Sequence, residues 1–124
     1  TMKFVLATTY AFWWPVKVQV PSGDTPGAFD VQTLKIRFEA IPDAEVTDHF
    51  NRRSAITDPV ELRDHDHALM KRVIRNWEGV VDDAGNEVGF DQASLSRALG
   101  FLPFRTAVAR AYADAMAGKA AEKN

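Results

Sequence analysis

The sequence predicts an α+β domain, with a small N-terminal antiparallel sheet of about three strands, about four helices after it, and a short hairpin near residues 80–90. Three observations predict this. Apolar residues alternate with polar ones in the first third of the chain, giving the two-residue period of half-buried strands. After Pro42 the apolar spacing changes to the three-to-four-residue period of helices. Helix starts are then marked by an acid, once with a proline behind it, at Asp58-Pro59 and Asp91.

Lys3–Thr9 is apolar and partly β-branched, and reads as a first strand. Tyr10–Val20 alternates more strictly. Phe12, Trp14, Val16, Val18 and Val20 fall on one face, with Trp13, Lys17 and Gln19 on the other. Pro15 has no N–H to give a ladder, which places this strand at an edge or a bend. Residues 21–27 are dense in turn formers. Phe29–Ala40 is the cleanest strand. Leu34, Ile36, Phe38 and Ala40 alternate with Thr33, Lys35, Arg37 and Glu39, one face buried and the other wet.

Asp43 is positioned to cap a helix carrying Val46 and Phe50. Asp58-Pro59-Val60-Glu61 opens a longer one, with Leu62, Leu69, Met70, Val73, Ile74 and Trp77 at helical spacing. Gly79 is expected to end that helix in the left-handed conformation that a side chain disfavours. Val80–Val81 and Val88–Phe90 then flank a polar turn in which Gly85-Asn86 supplies positive-φ residues. Trp77, Gly79, Gly85 and Phe90 form the structural core motif of the chain. Asp91 caps a short helix with Leu95, Ala98 and Leu99, ended by Gly100. Pro103 opens the last helix, with Phe104, Ala107, Val108, Ala111, Tyr112, Ala115 and Met116 in one stripe and Gly118 beyond it. Residues 1–124 read as one domain, with 119–124 expected to be a flexible tail.

Composition narrows the function. Apolar residues make up 46% and charged residues 26%, as in a globular domain. The absence of cysteine removes disulfides, thiolate metal sites and cysteine nucleophiles. Fifteen basic and 17 acidic residues give a net charge of −2, without the basic excess of a nucleic-acid footprint. No apolar run approaches the roughly 18 residues of a membrane span, and Phe4–Ala7 is too short for a signal peptide. Met2 reads as the natural start.

Catalytic and metal patterns fare poorly. His65 and His67 are two apart on a helix and diverge, whereas a helical zinc pair needs a spacing of three or four; His49 lies on another helix. They read as surface histidines beside Asp48, Asp64 and Asp66. Placing Gly85 at the sixth position of a calcium loop puts Val80 where a carboxylate is required. The nucleophile elbow, the dinucleotide fingerprint and the phosphate loop are absent. Acid pairs such as Glu45 with Asp48 suit a solvated helix face. The expectation is a non-enzymatic protein with no catalytic residue, metal or cofactor.

Surfaces are more informative. Trp13 projects from the wet side of an edge strand, as aromatic interface residues do, or as a side chain covering the back of the sheet does. The small residues Ala107, Ala111 and Ala115 on the last helix either pack on the domain's own sheet or let another helix approach closely. The candidate interaction surface is therefore Trp13 with Phe104, Ala107, Val108, Ala111, Tyr112 and Ala115.

Several stretches, in order, carry a resemblance. They are Trp14-Pro-Val-Lys-Val-Gln-Val-Pro21, Phe38-Glu-Ala-Ile-Pro-Asp-Ala-Glu45, and Trp77-Glu-Gly-Val-Val-Asp-Asp-Ala-Gly-Asn-Glu-Val-Gly-Phe90. A short leucine helix, the Ala-Tyr helix 107–116 and a tail ending Lys123-Asn124 follow. Together the chain resembles the small tail assembly chaperones of long-tailed bacteriophages and prophages, departing at Gly89, where a stiffer residue is expected. The resemblance implies a protein that binds the tape measure protein and keeps it soluble while the tail tube assembles. It further implies self-association into a spiral or ring, and a longer frameshifted form able to meet the tail tube protein. The expected location is the host cytoplasm, with the protein absent from the mature virion and without nucleic-acid or membrane partners. The competing reading is a structural tail component of the tail terminator or head–tail connector type.

Overall fold

Two long strands, β1 (Tyr10–Pro21) and β2 (Phe29–Ala40), pair antiparallel along their full length, from Tyr10 opposite Ala40 to Pro21 opposite Phe29. This computed structural model describes residues 1–121; the tail residues Lys123 and Asn124 lie outside the described residues. The turn between the strands is closed by Ser22, whose N–H donates to the Ala28 carbonyl at 2.9 Å and whose Oγ accepts from Thr25 N–H at 3.1 Å. Four helices follow: α1 (Asp43–Arg53), α2 (Pro59–Val73), α3 (Gln92–Leu99) and α4 (Leu102–Met116). A third strand, β3 (Ile74–Glu78), lies between α2 and α3 and pairs antiparallel with β2, so the sheet order is β1-β2-β3. The protein is α+β, and Pro15 is on an edge strand as expected.

The alternation read in β1 and β2 holds. Val16, Val18, Leu34, Ile36 and Phe38 are buried on one face, beneath α2, α3 and α4. Trp13, Lys35 and Thr33 are exposed on the other. Asp58 caps α2 by accepting from Glu61 N–H at 3.0 Å, and Asp91 caps α3 by accepting from Ser94 N–H at 2.7 Å.

Three expectations are corrected. Lys3–Thr9 is not a strand in the chain; residues 1–9 are exposed and outside the sheet. Asp43 does not cap α1, because Pro42 takes the capping position and supplies only its carbonyl. Most consequentially, Trp77 does not close a helix. α2 stops at Val73, Ile74 turns to extended backbone, and Trp77 sits in β3 opposite Ile36. The pairing shifts register between Arg37 and Phe38, which brings Ile74 opposite Phe38. That irregularity turns Ile74 and Trp77, three residues apart, to the same side of the sheet. A regular strand would send them to opposite sides. Their spacing looks helical for this reason.

Gly79 has φ +85° as expected, but it ends a strand. The hairpin forms as read. Val88 N–H donates to the Val80 carbonyl at 2.8 Å, and Asp82 Oδ1 accepts from Ala84 and Asn86 N–H at 2.9 and 3.0 Å. Only Gly85, at φ +84°, uses the left-handed region; Asn86 does not.

Trp77 is 5% exposed. Its ring meets Phe90 and Phe104 edge-on, at centroid distances of 5.3 and 6.4 Å, and its indole N–H donates to the Val88 carbonyl at 2.9 Å. Trp77→Ala is expected to destabilise the fold by roughly 3–5 kcal/mol. Trp77→Phe keeps a ring but loses the hydrogen bond, with an expected cost nearer the ~1 kcal/mol of that bond plus the lost volume. Urea unfolding monitored by circular dichroism checks both; equal losses for the two variants would contradict the account.

Candidate interaction surfaces

Because the helices cover one face of the sheet, the other face is open. Cross-strand partners share that face. Trp13 lies opposite Arg37, Pro15 opposite Lys35 and Lys17 opposite Thr33, while Arg37 and Lys35 meet Asn76 and Glu78 on β3. Trp13 is 37% exposed, with the Arg37 guanidinium carbon 5.9 Å from its ring centroid, a cation–π arrangement. The open face is thus an aromatic platform among Lys17, Lys35 and Arg37.

The α4 stripe divides. Phe104 and Val108 are 8% and 0% exposed and belong to the chain's own core, so they are not interaction-surface residues. Tyr112 is also engaged internally. Its ring meets Phe38 at 5.4 Å, and its hydroxyl oxygen accepts from Ile41 N–H at 3.1 Å, which fixes the end of β2 against α4. Ala107, Ala111 and Ala115 are half-buried. Ala107 and Ala111 line a largely apolar cleft of about 290 Å³ between α4 and the outer side of β1, with Phe29 and Leu102 exposed on its rim. The helix turns its small side chains toward the strand, and the space they leave is this cleft.

One surface escaped the sequence reading. Met2, Phe4, Val5 and Leu6 are between 65% and 91% exposed. The signal was present in the apolar run itself, which was assigned to the chain's own sheet.

The histidines are interhelical contacts rather than surface residues. His49 and His67 are buried, and His65 is half-buried. The rings of His49 and His65 stack at 4.1 Å, and His65 Nε2 donates to the His49 carbonyl at 2.7 Å. Asp66 lies 3.5 Å from His49 Nε2 and accepts from Arg53 Nε at 2.9 Å. His67 Nε2 lies 3.2 Å from an Arg105 guanidinium nitrogen. Arginine can only donate, so His67 accepts there and is neutral. No group of three or more metal-ligating side chains occurs among the described residues. No described helix is long and apolar enough to cross a membrane. Comparison of the chain with protein-family models, curated proteins and solved structures finds no match.

Burial, then the positive neighbours, hold His49 and His67 below the ordinary imidazole range, although Asp66 opposes the shift at His49. Burial would raise the Asp66 carboxyl, but Arg53 and His49 outweigh it and keep it low. The unfolded chain therefore binds protons at the two histidines before the folded chain does. Their contribution to stability is complete above the ordinary value of 6.5 and is lost as pH falls through the lower folded values. The melting temperature should fall as pH drops from about 7 to 5, a window in which carboxylates stay charged. His67→Gln, which offers Arg105 an acceptor that does not titrate, should flatten the slope. A melting temperature that rises on acidification would contradict this assignment.

Proposed function

We propose that this chain is a non-enzymatic binding protein of the tail assembly chaperone kind, holding an elongated, helix-rich tape measure protein soluble before a tail tube forms around it. The observation that carries the reading is the open sheet face, where Trp13 stands exposed beside Arg37 with Lys17 and Lys35 nearby. A large aromatic among cations suits the apolar and acidic side chains of an amphipathic helix. A long partner offers many such segments, so modest contacts by many copies add through avidity. The ordered stretches Trp14–Pro21, Phe38–Glu45 and Trp77–Phe90 support the same reading through their resemblance to that family.

The test is co-expression with the long helix-rich protein encoded downstream, followed by capture and light scattering. A soluble complex with many copies per partner is expected. Trp13→Ala and Arg37→Glu should each weaken capture about tenfold or more, as expected of interface anchors, with only small changes in the melting temperature. A partner that stays soluble alone and is not captured would remove this reading. Recovery of the chain from purified mature particles would favour the structural tail component instead.

A further inference from the structure

We infer that the cleft between β1 and α4 is the docking site for the Met2–Leu6 segment of a second copy of this chain. The inference does not rest on the tail-assembly reading, because it concerns contacts between identical chains.

Two unsatisfied surfaces of the molecule fit one another. The segment before β1 is apolar and β-prone, yet Phe4 and Leu6 are 88% and 91% exposed. In extended form Met2, Phe4 and Leu6 project to one side, with Lys3 and Val5 to the other. The cleft is a largely apolar channel beside a strand whose outer edge pairs with no other strand among the described residues. An extended segment laid along that edge gains backbone hydrogen bonds and places alternate side chains toward α4.

Reach decides which copy supplies the segment. The cleft extends to Gln19, Pro21 and Phe29, at the end of β1 remote from Tyr10. β1 spans about 36 Å from Tyr10 to Pro21. Phe4 is six residues from Tyr10 and reaches about 22 Å at full extension, less if the chain must first reverse. A chain's own segment therefore leaves that end of the cleft uncovered, whereas a neighbour's segment can lie against it. Segment and cleft are different surfaces, so each copy can give to one neighbour and receive from another.

The test uses the purified chain alone, by size-exclusion chromatography with light scattering over a range of concentrations. The unmodified chain should reach at least double the mass of one chain. A Phe4→Asp/Leu6→Asp variant and a Phe29→Asp/Leu102→Asp variant should each run as single chains. All four positions are exposed, so circular dichroism and melting should be unchanged. Mixing the two variants should restore a complex that stops at two chains, since one intact segment and one intact cleft remain. The chain has no cysteine, which permits a second measurement. Mixed Phe4→Cys and Gln19→Cys chains should form a disulfide between chains under mild oxidation. The inference is overturned if the unmodified chain is a single species at every concentration, if either double variant still assembles, or if no disulfide forms. It is equally overturned if the cleft variant keeps self-association but loses a helical partner, because the cleft would then belong to that partner.

Discussion

Trp77 is the contact through which the separate parts of this fold hold one another. It lies on β3, and β3 exists only as a strand beside β2, with Trp77 opposite Ile36. Its ring reaches Phe104 on α4 and Phe90 just before α3, and its N–H closes onto the Val88 carbonyl of the hairpin. One side chain therefore sets the depth of the sheet, the position of α4 and the return path of the 80–90 hairpin. Large aromatic groups act this way because they combine extensive buried area with one directional polar atom. Gly79 follows two residues later at φ +85°, where a left-handed backbone turns the chain out of the sheet beside Leu34. The hairpin then brings Val88 back beneath the indole.

A second set of constraints is polar and ties α1 and α2 to the sheet. Arg72 donates to Glu39 on β2 at 2.6 Å and to Glu45 on α1 at 3.1 Å. Surface ion pairs add little stability singly, yet a guanidinium shared between two carboxylates on two elements fixes their relative orientation. On the other side of α2, His67 accepts from Arg105 while the same arginine donates to the Leu99 carbonyl at 3.1 Å, linking α2, α3 and α4. Aspartates seal the helix starts at α2 and α3, whereas α1 begins at a proline with no side-chain cap.

Periodicity made β1, β2, α3 and α4 legible in the sequence, because each keeps one unbroken period and bounds itself with Pro, Asp or Gly. β3 was hidden by the same logic. Val73, Ile74 and Trp77 keep helical spacing, and the register shift that lets Ile74 and Trp77 share a face is a tertiary event with no local signature. The residues of the α4 stripe were identified correctly as apolar, but periodicity gives a face and not what covers it. Phe104 and Val108 went to the core, while Ala107 and Ala111 were left lining a cleft. The acids beside the histidines in sequence suggest a solvated surface, whereas their neighbours in space include one another, Arg53 and Arg105. Trp13 was placed correctly on the wet side, since strict alternation in a long edge strand leaves it nowhere else.

The alternation of β1 has one more consequence. Odd-numbered residues around Trp13 contribute to the open face, and even-numbered ones from Trp14 contribute to the face beneath α4. One strand thus borders two surfaces, the open face and the cleft at its outer edge, which Pro15, Lys17 and Gln19 also line. On the assignments proposed here, a neighbouring copy occupies the α4 side and an elongated partner the Trp13 side, with Lys17 at the margin of both. The arrangement makes the two contacts mutually reinforcing: copies joined through the cleft present their Trp13 faces as an array, and an array raises the effective concentration of each face for the next segment of a long partner. Single contacts can then stay weak enough to release when the partner is taken up elsewhere, while the chain of copies remains tight enough to cover it.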